Sequence, residues 1–93
     1  MLLSVLAKEA AAEVLEIRGD CEIASLSMDS RQETHRGLFF CVPGARFDAH
    51  DFAAQAVKNG ADALVVTHFL EIDVPQVRVQ SVRAAMSLMA AAF

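Results

Sequence analysis

Two short, wholly apolar runs constrain this chain most: Leu38-Phe39-Phe40-Cys41-Val42 and Ala63-Leu64-Val65-Val66. Neither alternates apolar with polar residues, so each has the pattern of a strand covered on both faces. Pro43-Gly44 stops the first run. Asp48 then suits a helix N-cap, with Asp51 three residues on, close to a capping box. The helix expected over about residues 49–59 puts Phe52, Ala53, Ala56 and Val57 on one face and turns Asp51, Gln55 and Lys58 towards the other. Asn59-Gly60 ends it. Strand, helix, strand in that order is a βαβ unit with parallel strands. The fold class is α/β: a small, three-layer-like domain with a mixed, partly parallel sheet containing this βαβ unit and flanking helices.

The flanking segments fill in the rest. Residues 3–16 read as a helix, with Ser4 as cap and Leu3, Leu6, Ala10 and Val14 at helical spacing. Gly19-Asp20 is a turn. Cys21 to Met28 alternates with a slip near Ala24, the pattern of an irregular strand. Residues 29–37 are polar and loop-like, and 67–75 form a second loop. Gln76 to Gln80 is a short strand. Ser81 caps a last helix whose Val82, Met86, Met89 and Phe93 lie along one stripe. That stripe of methionine and alanine is core rather than a cofactor surface. The chain stops at Phe93 inside this helix, which predicts that residues 1–93 are one domain of a longer protein.

Charge and motif content exclude several classes. The net charge of −4 argues against a nucleic-acid footprint, which needs a basic surface. The N-terminal segment lacks a basic start and carries Lys8, Glu9 and Glu13, so it is neither a signal peptide nor a membrane span. Cys21 and Cys41, the only cysteines, read as reduced structural residues of a cytosolic protein. His35, His50 and His68 have no metal-ligand spacing with them. There is no G-x-x-x-x-G-K-[ST] phosphate loop, and no nucleophile turn supports a triad of Asp48, His50 and Ser30.

What remains is a ligand corner. Asp29-Ser30-Arg31 follows directly on a strand, where a hydroxyl and a guanidinium fork can hold the polar groups of a nucleotide. The alternative is an ordinary polar turn. The passage from the Leu38 strand through Gly44 into the capped helix predicts free backbone N–H groups that suit an anion.

The order of these motifs resembles the N-terminal domain of the Mur ligases, which build peptidoglycan precursors. The resemblance rests on Ser27-Met28-Asp29-Ser30-Arg31, Leu38 to Gly44, and Phe47-Asp48-Ala49-His50-Asp51-Phe52. It continues through Ala56-Val57, Gly60 to Val66, Val74 to Val79, and Val82 to Met86. It covers nearly the whole chain after about residue 20. Within the family the pattern is similar to the MurE type, UDP-N-acetylmuramoyl-tripeptide synthetase. The run from Arg46 to Phe52 also looks like the MurF type, which adds D-alanyl-D-alanine.

The resemblance implies a three-domain cytoplasmic bacterial enzyme forming an amide through an acyl phosphate, with ATP and Mg2+ in domains absent here. This domain would hold the UDP end of UDP-N-acetylmuramoyl-L-Ala-D-Glu, would need the remaining domains in cis, and would carry no cofactor or catalytic residue of its own. Position by position, Met28 and Ser30 fall where the family contacts uridine, and Ala45, Arg46 and Phe47 match the second nucleotide loop. Two departures stand out. His35-Arg36-Gly37 replaces the family's Pro-Gly-Asp, in a turn expected to lie outside the site. Ala49 replaces a glycine and is expected to be the first helical residue. A different class of reading is a non-catalytic interaction module that works through its helix faces.

Overall fold

The computed structural model describes residues 1–93. Helix α1 is Leu3–Glu9, followed by strands β1 (Val14–Arg18), β2 (Ser25–Ser27) and β3 (Gly37–Phe40). A 3-10 turn, Ala49–Phe52, leads into α2 (Ala53–Lys58), then β4 (Ala61–Val66), β5 (Gln76–Val79) and α3 (Val82–Ala92). The five strands form one sheet in the order β1-β5-β4-β3-β2. Strands β2 to β5 are mutually parallel, and β1 runs antiparallel along β5. The mixed sheet and the β3-α2-β4 unit are as the sequence predicts.

The apolar runs divide the core between two faces. Leu38, Phe40, Ala63 and Val65 point to one side, with Val77 and Val79, beneath α1 and α3. Phe39, Cys41, Leu64 and Val66 point to the other, beneath α2 and the apolar residues of the 67–75 loop. That loop is pinned by Gln76, a buried side chain. Its amide accepts from Leu70 N–H at 2.9 Å and donates to the carbonyls of Leu70 and Ile72 at 2.9 and 3.0 Å. A buried amide with every partner supplied stabilises a loop that has no helix of its own.

Three sequence expectations are corrected. The first helix does not reach residue 16: it ends near Ala10, and Val14–Arg18 is an edge strand paired with β5. Val14-Leu15-Glu16-Ile17 fits either period, and pairing with β5 decides it. Ser4 is not the cap, since Leu2 occupies that position and the Ser4 hydroxyl donates to Asp20 at 2.6 Å. The irregular strand shrinks to Ser25–Ser27, with a lone bridge from Glu22 to Leu2. At the chain's end, Val82, Ala85 and Met89 are buried while Phe93 is exposed. Ser81 caps α3 as expected, accepting from Ala84 N–H at 3.2 Å.

The two departures resolve differently. Ala49 opens the 3-10 turn without a positive φ, so it is unstrained. Arg36 is the one non-glycine residue with positive φ, at 50°. It stands where the resembling family has glycine, the residue that adopts such a backbone without strain. An L residue held there costs about 1–2 kcal/mol, part of which glycine would return through its greater freedom in the unfolded chain. Because the Arg36 side chain is exposed, we expect Arg36→Gly to raise stability by roughly 0.5–1 kcal/mol in thermal unfolding followed by circular dichroism.

Candidate functional site

Strands β2 and β3 both release their chains at the same edge of the sheet, because they are parallel neighbours. One emerging segment is the 28–36 loop and the other is 41–48. Open parallel sheets place ligands at this edge.

The second segment is a closed loop. Pro43 bridges Asp48, so residues 44–47 project as its tip. Gly44 is required there, because a Cβ would stand 2.5 Å from the Phe47 carbonyl oxygen. Ala45, Arg46 and Phe47 are all exposed, and their backbone N–H groups make no hydrogen bond within the chain.

The expected anion corner is corrected in its position. Asp48 caps the 3-10 turn, its carboxylate accepting from His50 N–H at 3.0 Å. Ala49 N–H donates to Val42 O and Asp51 N–H to Asp48 O. The first-turn N–H groups are thus already satisfied, and the anion at this corner is Asp48 itself. The N–H groups left open lie earlier, at 45–47.

His50 is buried and links this turn to β4. Its Nδ1 meets the Asp48 carboxylate at 2.5 Å, and its Nε2 accepts from Thr67 N–H at 3.0 Å. The second bond places the ring proton on Nδ1. His68 stacks on the same ring, with centroids 4.5 Å apart. Ser30 is not part of this cluster, so no Asp-His-Ser triad forms. The cysteines offer no nucleophile either. Both are free thiols, and burial pushes the Cys41 thiol up to about 12.

The 28–36 loop lies against α2. The Ser30 hydroxyl bonds Gln55 Oε1 at 2.8 Å, and the Ser30 carbonyl accepts from Asn59 Nδ2 at 2.9 Å. Arg31 forms a two-pronged pair with Asp29, at 3.1 and 3.2 Å. That guanidinium holds the Asp29 carboxyl below its usual range. A cleft of about 440 Å³ opens here, lined by Ser30, Arg31, Phe47, Phe52 and Gln55. Phe47 and Phe52 form an aromatic wall, their centroids 6.4 Å apart.

The structure therefore brings together two of the five residues singled out by sequence, Ser30 and Phe47. Ala45 and Arg46 stand beside them on the loop tip without lining the cleft. Met28 is exposed and faces a different hollow, with Leu26, Phe40, Met86 and Ala90. Phe52, Gln55 and Asn59 were not singled out. The helical pattern puts Phe52 on one face with Ala53, Ala56 and Val57, yet it is 40% exposed, because it lies in the 3-10 turn and not in α2. In sequence Gln55 reads as an outward polar residue and Asn59 as a helix stop.

Residues 22–93 match the family described as Mur ligase family, catalytic domain. The chain belongs to the Mur ligase family. Among its relatives is the UDP-N-acetylmuramoyl-L-alanyl-D-glutamate--2,6-diaminopimelate ligase of Geobacillus thermodenitrificans, 49% identical over 81% of this chain and 15% of that protein. The UDP-N-acetylmuramoyl-tripeptide--D-alanyl-D-alanine ligase of Escherichia coli is 44% identical over 82% of this chain and 17% of that protein. A crystal structure of MurF from Acinetobacter baumannii superposes with a TM-score of 0.75 and 26% identity, over 94% of this chain and 20% of that one. This Mur ligase chain thus spans about a sixth of the curated relatives it matches. No helix in it is long and apolar enough to cross a membrane.

The Asp48 cap yields a test of this corner. The His50 backbone N–H, and then its ring, lower the Asp48 carboxyl below its usual range. Stability from a lowered carboxyl is present above its ordinary value and is lost as pH falls through the folded one. We expect Asp48→Ala to cost about 1–2 kcal/mol near pH 7. The gap from the parent chain should close below roughly pH 4 in urea unfolding at a series of pH values.

Proposed function

We propose that this domain holds the uridine diphosphate end of UDP-N-acetylmuramoyl-L-Ala-D-Glu. On this reading it belongs to a longer ligase that adds the third peptide residue to the peptidoglycan precursor. The observation that carries the reading is convergence. The two loops assigned to the nucleotide by family resemblance border a single cleft, with Ser30 on one side and Phe47 on the other. The relatives support the substrate class, since each is named for a UDP-N-acetylmuramoyl peptide.

Each part of the site has chemistry for this task. The exposed Phe47 ring offers a flat apolar face to a base. The open N–H groups of Ala45, Arg46 and Phe47, with the Arg46 guanidinium, suit diphosphate oxygens. Ser30 adds a hydroxyl at the cleft wall. Met28, off this cleft, would contact a part of the substrate that leaves it towards α3. ATP and Mg2+, bound by the remaining domains in cis, would supply the activation of the carboxylate. The absence of G-x-x-x-x-G-K-[ST] here fits a domain that binds substrate without turning it over. On this reading the parent enzyme works in the bacterial cytoplasm. A MurF-type parent adding D-alanyl-D-alanine is the second reading, favoured by the Escherichia coli relative and the Acinetobacter structure.

An amide NMR titration with UDP, and AMP as control, tests the site. Saturating shifts at Ser30, Arg31 and Gly44 to Phe47 with UDP, and weaker ones with AMP, are expected. Ser30→Ala should weaken UDP about three- to tenfold, the loss of one hydrogen bond. Equal responses to both nucleotides, or none in the folded chain, would overturn the reading.

A further inference from the structure

The 28–36 loop joins β2 to β3, which are adjacent and parallel. Such a connection ordinarily contains a helix that packs on the sheet and fixes its path. This one contains none. Its path is fixed instead by the end of α2, a helix belonging to the next connection. The Asn59 side chain donates to the Ser30 carbonyl at 2.9 Å, and the Asn59 carbonyl accepts from Thr34 N–H at 2.8 Å. One residue thus grips the loop at two points, four positions apart. Gln55, one turn earlier on α2, takes the Ser30 hydroxyl. Gly60 completes the junction: its carbonyl accepts from Gly37 N–H at 3.1 Å. A Cβ at Gly60 would stand 1.8 Å from the Thr34 carbonyl oxygen, and its φ of 109° also excludes ordinary side chains.

We infer that Asn59 is a positioning residue for the nucleotide site: it sets Ser30 and Arg31 at the cleft without touching the ligand. The inference rests on the proposed uridine diphosphate reading for its ligand. Asn59 lines no part of the cleft, so any effect of it on binding passes through Ser30. Its amide is also specific in sense. Only a donor can face the Ser30 carbonyl, so an aspartate of equal size presents an acceptor to an acceptor.

The test compares Asn59→Ala, Asn59→Asp and Gln55→Ala with an exposed control, Lys58→Ala, in the 93-residue chain. Two readouts are taken from each: backbone 15N relaxation without ligand, and UDP affinity by NMR titration. Expected for both Asn59 variants is a fall in order parameters confined to residues 30–34, from about 0.85 to below about 0.6. UDP affinity should drop about five- to tenfold, the scale of losing one or two hydrogen bonds. Asn59→Asp should be no better than Asn59→Ala. Lys58→Ala should match the parent. Should Asn59→Ala fail to fold, Asn59→Asp decides, since it keeps the size of the residue and removes only the donor to the Ser30 carbonyl; Gln55 itself lines the cleft, so Gln55→Ala is read by relaxation alone. A loop that stays rigid in these variants overturns the inference, whatever UDP does. A loosened loop with unchanged UDP affinity also overturns it. A parent chain blind to UDP overturns the nucleotide reading instead, and the relaxation data then still decide whether Asn59 anchors the loop.

Discussion

Burial of β3 and β4 on both faces is the constraint from which the rest of this domain follows. Leu38, Phe39, Phe40 and Cys41 are each at most 1% exposed, as are Ala63 to Val66. Side chains alternate across a strand, so each run drives apolar surface to both sides of the sheet at once. One layer of cover cannot satisfy that. Helices α1 and α3 close one face. On the other, α2 is only six residues long, and the 67–75 loop supplies what it cannot cover. The buried Gln76 amide ties that loop down and so holds the cover that the short crossover helix leaves out.

The same parallel arrangement decides where a ligand can go. Parallel strands send consecutive loops out at one edge, so the 28–36 and 41–48 segments arise side by side. Chemistry then divides the second segment in two. From Ala49 to Asp51 the backbone donors are consumed by the fold, with the Asp48 carboxylate serving as its own bound anion. At residues 45–47 they are open. His50 enforces the division, because its ring fastens Asp48 to the end of β4 through Thr67. A buried ring with both nitrogens occupied has no spare lone pair or proton for a substrate.

Much of this was legible in the chain itself, for physical reasons that also mark the limits. The runs at 38–42 and 63–66 are read correctly because burial on both faces leaves no polar residue to blur the pattern. Asp48 and Ser81 are read correctly as caps because capping is local, settled within three residues. Val14–Arg18 is misread because its strand character comes from β5, sixty residues away in sequence, and an exposed edge strand needs no apolar alternation of its own. The site is half legible for the same reason. Ser30 and Phe47 carry recognisable local motifs. Gln55 and Asn59 act on a loop some thirty residues earlier, and nothing local distinguishes them from a solvated glutamine and a helix-ending asparagine.

That last pairing shows how fold and site are joined. A loop without its own helix must borrow its geometry, and the nearest rigid body is the helix of the following βαβ unit. The borrowed helix is itself fixed by the two-faced core, through Ala53 and Ala56 against Phe39 and Leu64. Order at Ser30 is thus inherited in two steps from the apolar runs, first through α2 packing and then through the Asn59 amide. The inheritance runs one way. Loss of the loop contacts leaves the core intact, since none of its buried residues lies in 28–36. Loss of α2 packing removes both. A domain built like this can vary its ligand loop in sequence while keeping its fold, but the loop keeps its order only while the residue capping α2 offers it a donor.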